Sequence, residues 1–313
     1  MILEDCLRNG YITQEEETAP LEEKIGLVTK HFPEYASLLD TKQVSKKIHE
    51  VCRRGIDELD RTREDWAKSD LRITLLYSWQ PQLKAVPQEN LNKLPVPRES
   101  SLQHWRKDYY GDLFQNSHSI LSGYFTKLPS RPEGPVKTVV RGSPRLNAAA
   151  KDSAWVKTRK SLEEKMENDM EETILIDKEE KTLVEGLQTN FMIIHDGVLY
   201  TAGQHVLNGT VRQLVLEVCE ANDIPYKLEA PPLAKLSSLE AAFITSTSRL
   251  ILPIDEIKIP ADIIADVRAV LPSNSDQMEN EDMVIRLRSK ESPVLQRLRL
   301  LLDQALESHS KKV

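Results

Sequence analysis

Apolar residues along this chain recur at two spacings. Val44, Ile48, Val51, Cys52, Ile56 and Leu59 follow intervals of three and four and predict an amphipathic helix, with a second one before it on Leu21, Ile25, Leu27 and Val28. The run Leu71 to Trp79 is rich in β-formers and predicts a strand, and Ile120 to Leu128 predicts a returning one. Between them, Gln80 to Ser117 turns to proline, amide and charge, and reads as a long surface insertion. Proline and glycine from Pro129 to Pro135 deny both helix and ladder bonds, which places a domain boundary there.

Beyond that boundary the pattern alternates. Val136 to Val140 and Glu172 to Asp177 read as strands, separated by a helical face carrying Trp155, Leu162, Met166 and Met170. Ile224 to Leu228 reads as extended. Ser237 to Glu240 has the form of a capping box introducing a short helix. Pro260 opens one helix, and a closing helix runs from Pro293 to Leu306 with Leu295, Leu298, Leu301, Leu302 and Leu306 inward. No repeat period is visible.

The most informative stretch runs from Glu185 to Arg212. Phe191 to Ile194 is apolar, His195-Asp196-Gly197 is a two-residue hairpin signal, and Val198 to Tyr200 returns. Asn208-Gly209-Thr210 then precedes Val211, Leu214, Val215 and Val218 at helical spacing, so a helix begins near Gly209 or Thr210. Free amides and the positive end of the helix dipole make such a start a seat for phosphate, although its ordinary use is a simple cap.

Composition narrows the classes. The 313 residues supply ample core and favour two domains. A hydrophobic content of 40% with 29% charge describes a soluble globular protein. A net charge of −7, with no basic cluster interleaved with aromatics, argues against nucleic acid. No apolar run is long enough to span a membrane. Cys6, Cys52 and Cys219 are scattered, which suits a reducing compartment, and the seven histidines form no ligand-spaced pair, so no metal site is expected. The acidic N-terminus lacks a targeting pattern, which points to a cytoplasmic location.

Three motifs in order carry a resemblance: Lys151 within Asn147 to Trp155, then Glu185 with Asn190-Phe191, Leu199, Thr201 and Val206 to Arg212, then Thr245 to Ser248 after an apolar run. Lys151 lies 34 residues before Glu185. Over about residues 130 to 310 the chain resembles the class IV pyridoxal-phosphate aminotransferases, which include branched-chain and D-amino acid aminotransferases and aminodeoxychorismate lyase.

The resemblance implies an α/β (α+β), two-domain D-amino acid aminotransferase-like fold. Residues 1–128 would be the small domain, with an insertion at about 80–117. Residues 129–136 would be a linker, and 137–313 the large cofactor-binding domain. It implies pyridoxal 5'-phosphate, with Lys151 as the Schiff-base lysine and Glu185 facing the pyridine nitrogen. Asn190, Gly209, Thr210, Val211, Ser246 and Thr247 complete the cofactor site. The implied reaction moves an amino group between an amino acid and a 2-oxo acid in a cytoplasmic homodimer. Lyase chemistry on the same residues and a non-catalytic descendant remain open. The Schiff-base role calls for a desolvated or cation-flanked position for Lys151; the small residues before it and an apolar helix after it permit close approach of backbone to cofactor, and Arg249 is a weaker candidate for a substrate carboxylate. Two departures stand out. The family's opening strands and its histidine-and-arginine stretch are not found, so the start of the small domain is expected to be missing. Val156 stands where branched-chain members carry a tyrosine, which favours the D-amino acid and lyase side.

Overall fold

The protein is described by a computed structural model covering residues 40–62, 71–79, 109–110, 114–116, 119–128, 130–132, 134–145, 148–271 and 281–309, with single positions at 23, 26 and 30. The helix expected around Leu21 to Val28 and most of the Gln80 to Ser117 stretch lie outside the described residues. Backbone proximity divides the chain into two compact units, Met1–Pro129 and Ser130–Val313.

In the first unit, helix α1 (Thr41–Thr62) starts at Asp40, whose Oδ1 accepts from the amides of Lys42 at 2.9 Å and Gln43 at 3.2 Å. Its buried stripe is Val51, Gly55 and Leu59, one residue per turn. Strand β1 (Leu71–Trp79) pairs antiparallel with β4 (Ser119–Lys127), from Leu71 opposite Lys127 to Trp79 opposite Ser119. Two short strands, β2 (Tyr109–Tyr110) and β3 (Phe114–Asn116), also pair with β4. Phe125 on β4 is fully buried, and a Cβ added at Gly55 would lie 2.1 Å from its Cζ, so only glycine lets α1 lie this close to the ring.

The second unit is one sheet of nine strands. Its members are β5 (Val136–Val140), β6 (Met170–Asp177), β7 (Thr182–Gly186), β8 (Asn190–His195), β9 (Val198–Tyr200), β10 (Tyr226–Lys227), β11 (Ala241–Ser246), β12 (Leu250–Ile259) and β13 (Met283–Arg286). The order is β10-β9-β8-β11-β12-β5-β6-β7 with β13 beside β12, and β7 also pairs with β8. That last pairing closes β8, β11, β12, β5, β6 and β7 into a ring. Alternation along the strands then makes two cores. Phe191, Ile193, Ala242 and Ile244 pack with Ile263, Ile264 and Val267 of α5 (Ala261–Val267). Met192, Ile194, Ala241 and Phe243 belong to the opposite face, covered by α4 (Thr210–Ala221) and α6 (Pro293–His309).

Two expectations need correction. The Ser237 to Glu240 box starts no helix: a 3-10 turn at Leu233–Ser238 ends inside it, and β11 follows. Its side chains are drawn elsewhere, because Glu240 Oε1 accepts the Gly197 amide at 2.7 Å and Ser238 Oγ meets His195 Nε2 at 3.0 Å. The helix after Lys151 is not one apolar element either. It breaks into α2 (Ala154–Thr158) and α3 (Lys160–Glu163), neither of which buries a residue. Helices this short are not held by their own hydrogen bonds.

Candidate functional site

Strand register gathers the site. Glu185, at the end of β7, stands opposite Asn190, the first residue of β8, and Asn190 stands opposite Thr245 on β11. Residues 60 apart in sequence therefore share one row, with the turn from Ser246 to Arg249 next along. The hairpin that sets this row turns at Asp196 and Gly197, with φ of 51° and 70°, as the sequence predicts.

The start of α4 is fastened to that row through Leu207. Its amide donates to Glu185 Oε2 at 3.0 Å, and its carbonyl accepts from Asn190 Nδ2 at 2.7 Å and from the Gly209 amide at 2.8 Å. Gly209 is the N-cap residue, and a Cβ there would lie 2.3 Å from Asn190 Oδ1, so a side chain would push the helix off its bracket. The first main-chain donor to a helix carbonyl is Gln213, bonded to Gly209 at 2.9 Å. The amides of Thr210, Val211 and Arg212 precede it and have no acceptor within the helix.

Glu172, read in the sequence only as the start of a strand, builds the turn between β7 and β8. Its buried carboxylate accepts from the amides of Thr173 at 3.0 Å, Leu187 at 3.2 Å and Gln188 at 3.2 Å, and from Thr189 Oγ1 at 3.0 Å. Gly186 lies so close that an added Cβ would fall 2.2 Å from Thr189 Oγ1.

Arg145 was also missed. Its Nε donates to Glu185 Oε1 at 2.7 Å and its Nη2 to Ala148 O at 2.8 Å, with Nη1 3.5 Å from Ala150 O. The guanidinium lies 5.4 Å from the Trp155 ring centre, and Trp155 Nε1 donates to Leu187 O at 2.7 Å. Lys151 follows directly after the carbonyls that Arg145 holds. The Schiff-base role calls for a desolvated or cation-flanked lysine; Lys151 is exposed and its side chain makes no hydrogen bond or ion pair among the described residues. The reason is that α2 buries nothing against it.

On the other phosphate candidate, Ser246 Oγ lies 3.3 Å from Ser248 Oγ and accepts the Arg249 amide at 3.2 Å, while Thr247 is exposed at the tip. Arg249 is committed to Glu171 at 2.8 Å. A positive side chain in the first turn of the helix is Arg212, buried, with Nη2 donating to Ala202 O at 2.7 Å and a buried Nε that has no partner among the described residues. No group of three or more metal-ligating side chains forms among the described residues, and no helix there is long and apolar enough to cross a membrane.

Burial raises the Glu172 and Glu185 carboxyls above the ordinary 4.5, against the pull of Arg249 and the hydrogen-bond donors on Glu172 and of Arg145 and Leu207 on Glu185. Burial also lowers the Arg212 guanidinium, which Glu185 partly offsets. A carboxyl whose folded pKa exceeds its unfolded one binds more protons folded than unfolded between the two values. Its contribution to stability is therefore fullest below the unfolded pKa and is lost as pH rises through the folded one. The expected result is a urea midpoint that declines as pH climbs from 4.5 through that window, with a shallower decline in Glu172→Gln. Equal slopes in the two proteins would refute it.

A family model described as amino-transferase class IV matches residues 88–257, more than half of the chain. The chain belongs to the class IV aminotransferases. The family match begins inside the stretch read as an insertion and spans Lys151, Glu185 and the α4 start. Among curated members of similar sequence, the D-alanine aminotransferase of Staphylococcus haemolyticus is 31% identical over 88 residues, 28% of this chain and 30% of that protein. The D-alanine aminotransferase of Listeria monocytogenes is 41% identical over 71 residues, 22% of this chain and 25% of that protein. The chain thus matches less than a third of the length of these relatives. Solved structures that this chain resembles in part include a putative 4-amino-4-deoxychorismate lyase from Legionella pneumophila, with TM-score 0.46, 13% identity, and coverage of 69% of this chain and 81% of that one. A putative branched-chain aminotransferase from Thermotoga maritima gives TM-score 0.42 and 15% identity, covering 60% and 63%.

Proposed function

We propose that the protein binds pyridoxal 5'-phosphate and transfers an amino group from an amino acid to a 2-oxo acid. The observation that supports this reading is the bracket at Leu207, which fixes a buried acid, Glu185, beside a helix start with free amides. An aromatic cation with a phosphate arm needs those two features at a fixed separation, and the donor set fits. Phosphate would be held by the amides of Thr210 and Val211 and by the hydroxyls of Ser246 and Thr247. Glu185 would keep the ring nitrogen protonated, and Asn190 would hold the helix start in place. The bound cofactor supplies an electron sink for a deprotonated substrate carbon.

Lys151 would hold the cofactor by its aldehyde until the substrate's amine displaces its Nζ, and the freed amine would then take the proton from the substrate α-carbon and return it one position along. By the same family reasoning the working form is a homodimer acting on small amino and oxo acids, and the scattered cysteines favour a cytoplasmic location.

The test is reductive trapping. Protein incubated with pyridoxal phosphate and then borohydride is expected to carry the label on Lys151, and Lys151→Ala to lose both the label and about 10²-fold or more in turnover. A wild-type protein that takes no label at saturating cofactor would overturn the reading.

A further inference from the structure

We propose that Arg145 is a positioning residue that fixes the Lys151 stretch against Glu185. The inference rests on the functional reading above for what Lys151 does, but its geometry stands on its own. One guanidinium spans three groups. Nε holds Glu185 Oε1 at 2.7 Å, Nη2 holds Ala148 O at 2.8 Å, and Nη1 faces Ala150 O at 3.5 Å. The two carbonyls flank the turn that ends one residue before Lys151.

The pairing is enclosed. The side chains of Arg145 and Glu185 are 9% and 2% exposed, and Trp155 closes one side of the guanidinium. Trp155 also anchors the far end of the same segment, since its ring nitrogen is bonded to Leu187 O. Lys151 therefore sits between two fixed points, Arg145 before it and Trp155 after it, while its own side chain stays free. A flexible lysine on a flexible loop would meet an aldehyde rarely, and a lysine on a pinned backbone searches only its own rotamers.

Arg145 does not need to leave when a ring nitrogen arrives. Glu185 accepts one bond at each oxygen, from Arg145 and from Leu207, and an ionised carboxylate has about four acceptor sites. A ring N–H can share the carboxylate with the guanidinium. Lysine cannot replace this arrangement, because a single ammonium on a shorter reach lacks the planar fork that bonds an acid and two carbonyls together.

Arg145→Lys is the decisive variant, since it keeps the charge beside Glu185 and removes the fork. Its thermal midpoint is expected to stay close to that of the wild type. Amide exchange in the peptide containing residues 148–151 is expected to speed at least tenfold in the cofactor-free protein, and the borohydride-fixed label on Lys151 to fall at least tenfold at sub-saturating pyridoxal phosphate. Wild-type exchange and labelling in a folded Arg145→Lys protein would overturn the proposal. A role in stability alone would lower the midpoint and leave the label at saturating cofactor unchanged, which would also overturn it. If wild-type protein takes no label, the functional reading fails and exchange alone decides the clamp. If Arg145→Lys does not fold, Glu185→Gln, which weakens the same hold, replaces it. Faster exchange at 148–151 then supports the clamp, and unchanged exchange refutes it.

Discussion

Replacing Glu172 with alanine is expected to cost about 3 to 6 kcal/mol of unfolding free energy in the unit Ser130–Val313. The substitution removes the acceptor of three amides and one hydroxyl, and Leu187 and Thr189 are themselves buried, so water cannot fully replace it. Each buried donor left unpaired costs about 1 to 3 kcal/mol, and whole domains are stable by only about 5 to 15 kcal/mol. Glutamine keeps the volume and one carbonyl oxygen, so Glu172→Gln is expected to lose less than half as much. Urea denaturation of the three proteins gives the order directly. A Glu172→Ala midpoint within error of the wild type would show that the turn from Gly186 to Thr189 does not depend on this carboxylate.

Glu185→Ala is expected to be nearly as severe, for a different reason. It strands the Arg145 guanidinium in an enclosed site and leaves the Leu207 amide without its acceptor. Removing one partner of a buried ion pair costs about 3 to 5 kcal/mol, whereas replacing both partners by apolar groups is often close to neutral. The double variant Arg145→Met with Glu185→Leu is therefore expected to be more stable than Glu185→Ala alone, although no better at binding cofactor. A double variant less stable than the single one would mean that the pair is not the source of the cost.

Local signals in the sequence translate well where the chemistry is local. Asp196-Gly197 makes the hairpin because both residues take positive φ, and Gly209 ends the approach to α4 because Asn190 leaves no room for a Cβ. Family membership was legible for the same reason, since its motifs are runs of neighbours. What failed was long-range choice of partner. Ser238 and Glu240 have capping spacing, yet their oxygens go to His195 and Gly197, 43 residues away in each case. Arg145 finds its acid 40 residues on, and three of the four donors on Glu172 lie in a turn 15 to 17 residues away that only strand pairing brings back. Lys151 shows the converse. Its place in the motif was readable, but the solvent around it depends on whether the following segment packs, and that segment buries nothing.

Trp155 is the single tryptophan between residues 130 and 313. Its indole has a cation on one face and a carbonyl at its ring nitrogen, both belonging to the clamp around Lys151. Emission from an indole responds to a nearby charge and to the loss of its N–H bond. The protein therefore carries its own optical sensor one turn from the candidate lysine. With the remaining tryptophans changed to phenylalanine, the colour and intensity of Trp155 would follow loosening of this loop in real time, with no dye attached and before any substrate is chosen.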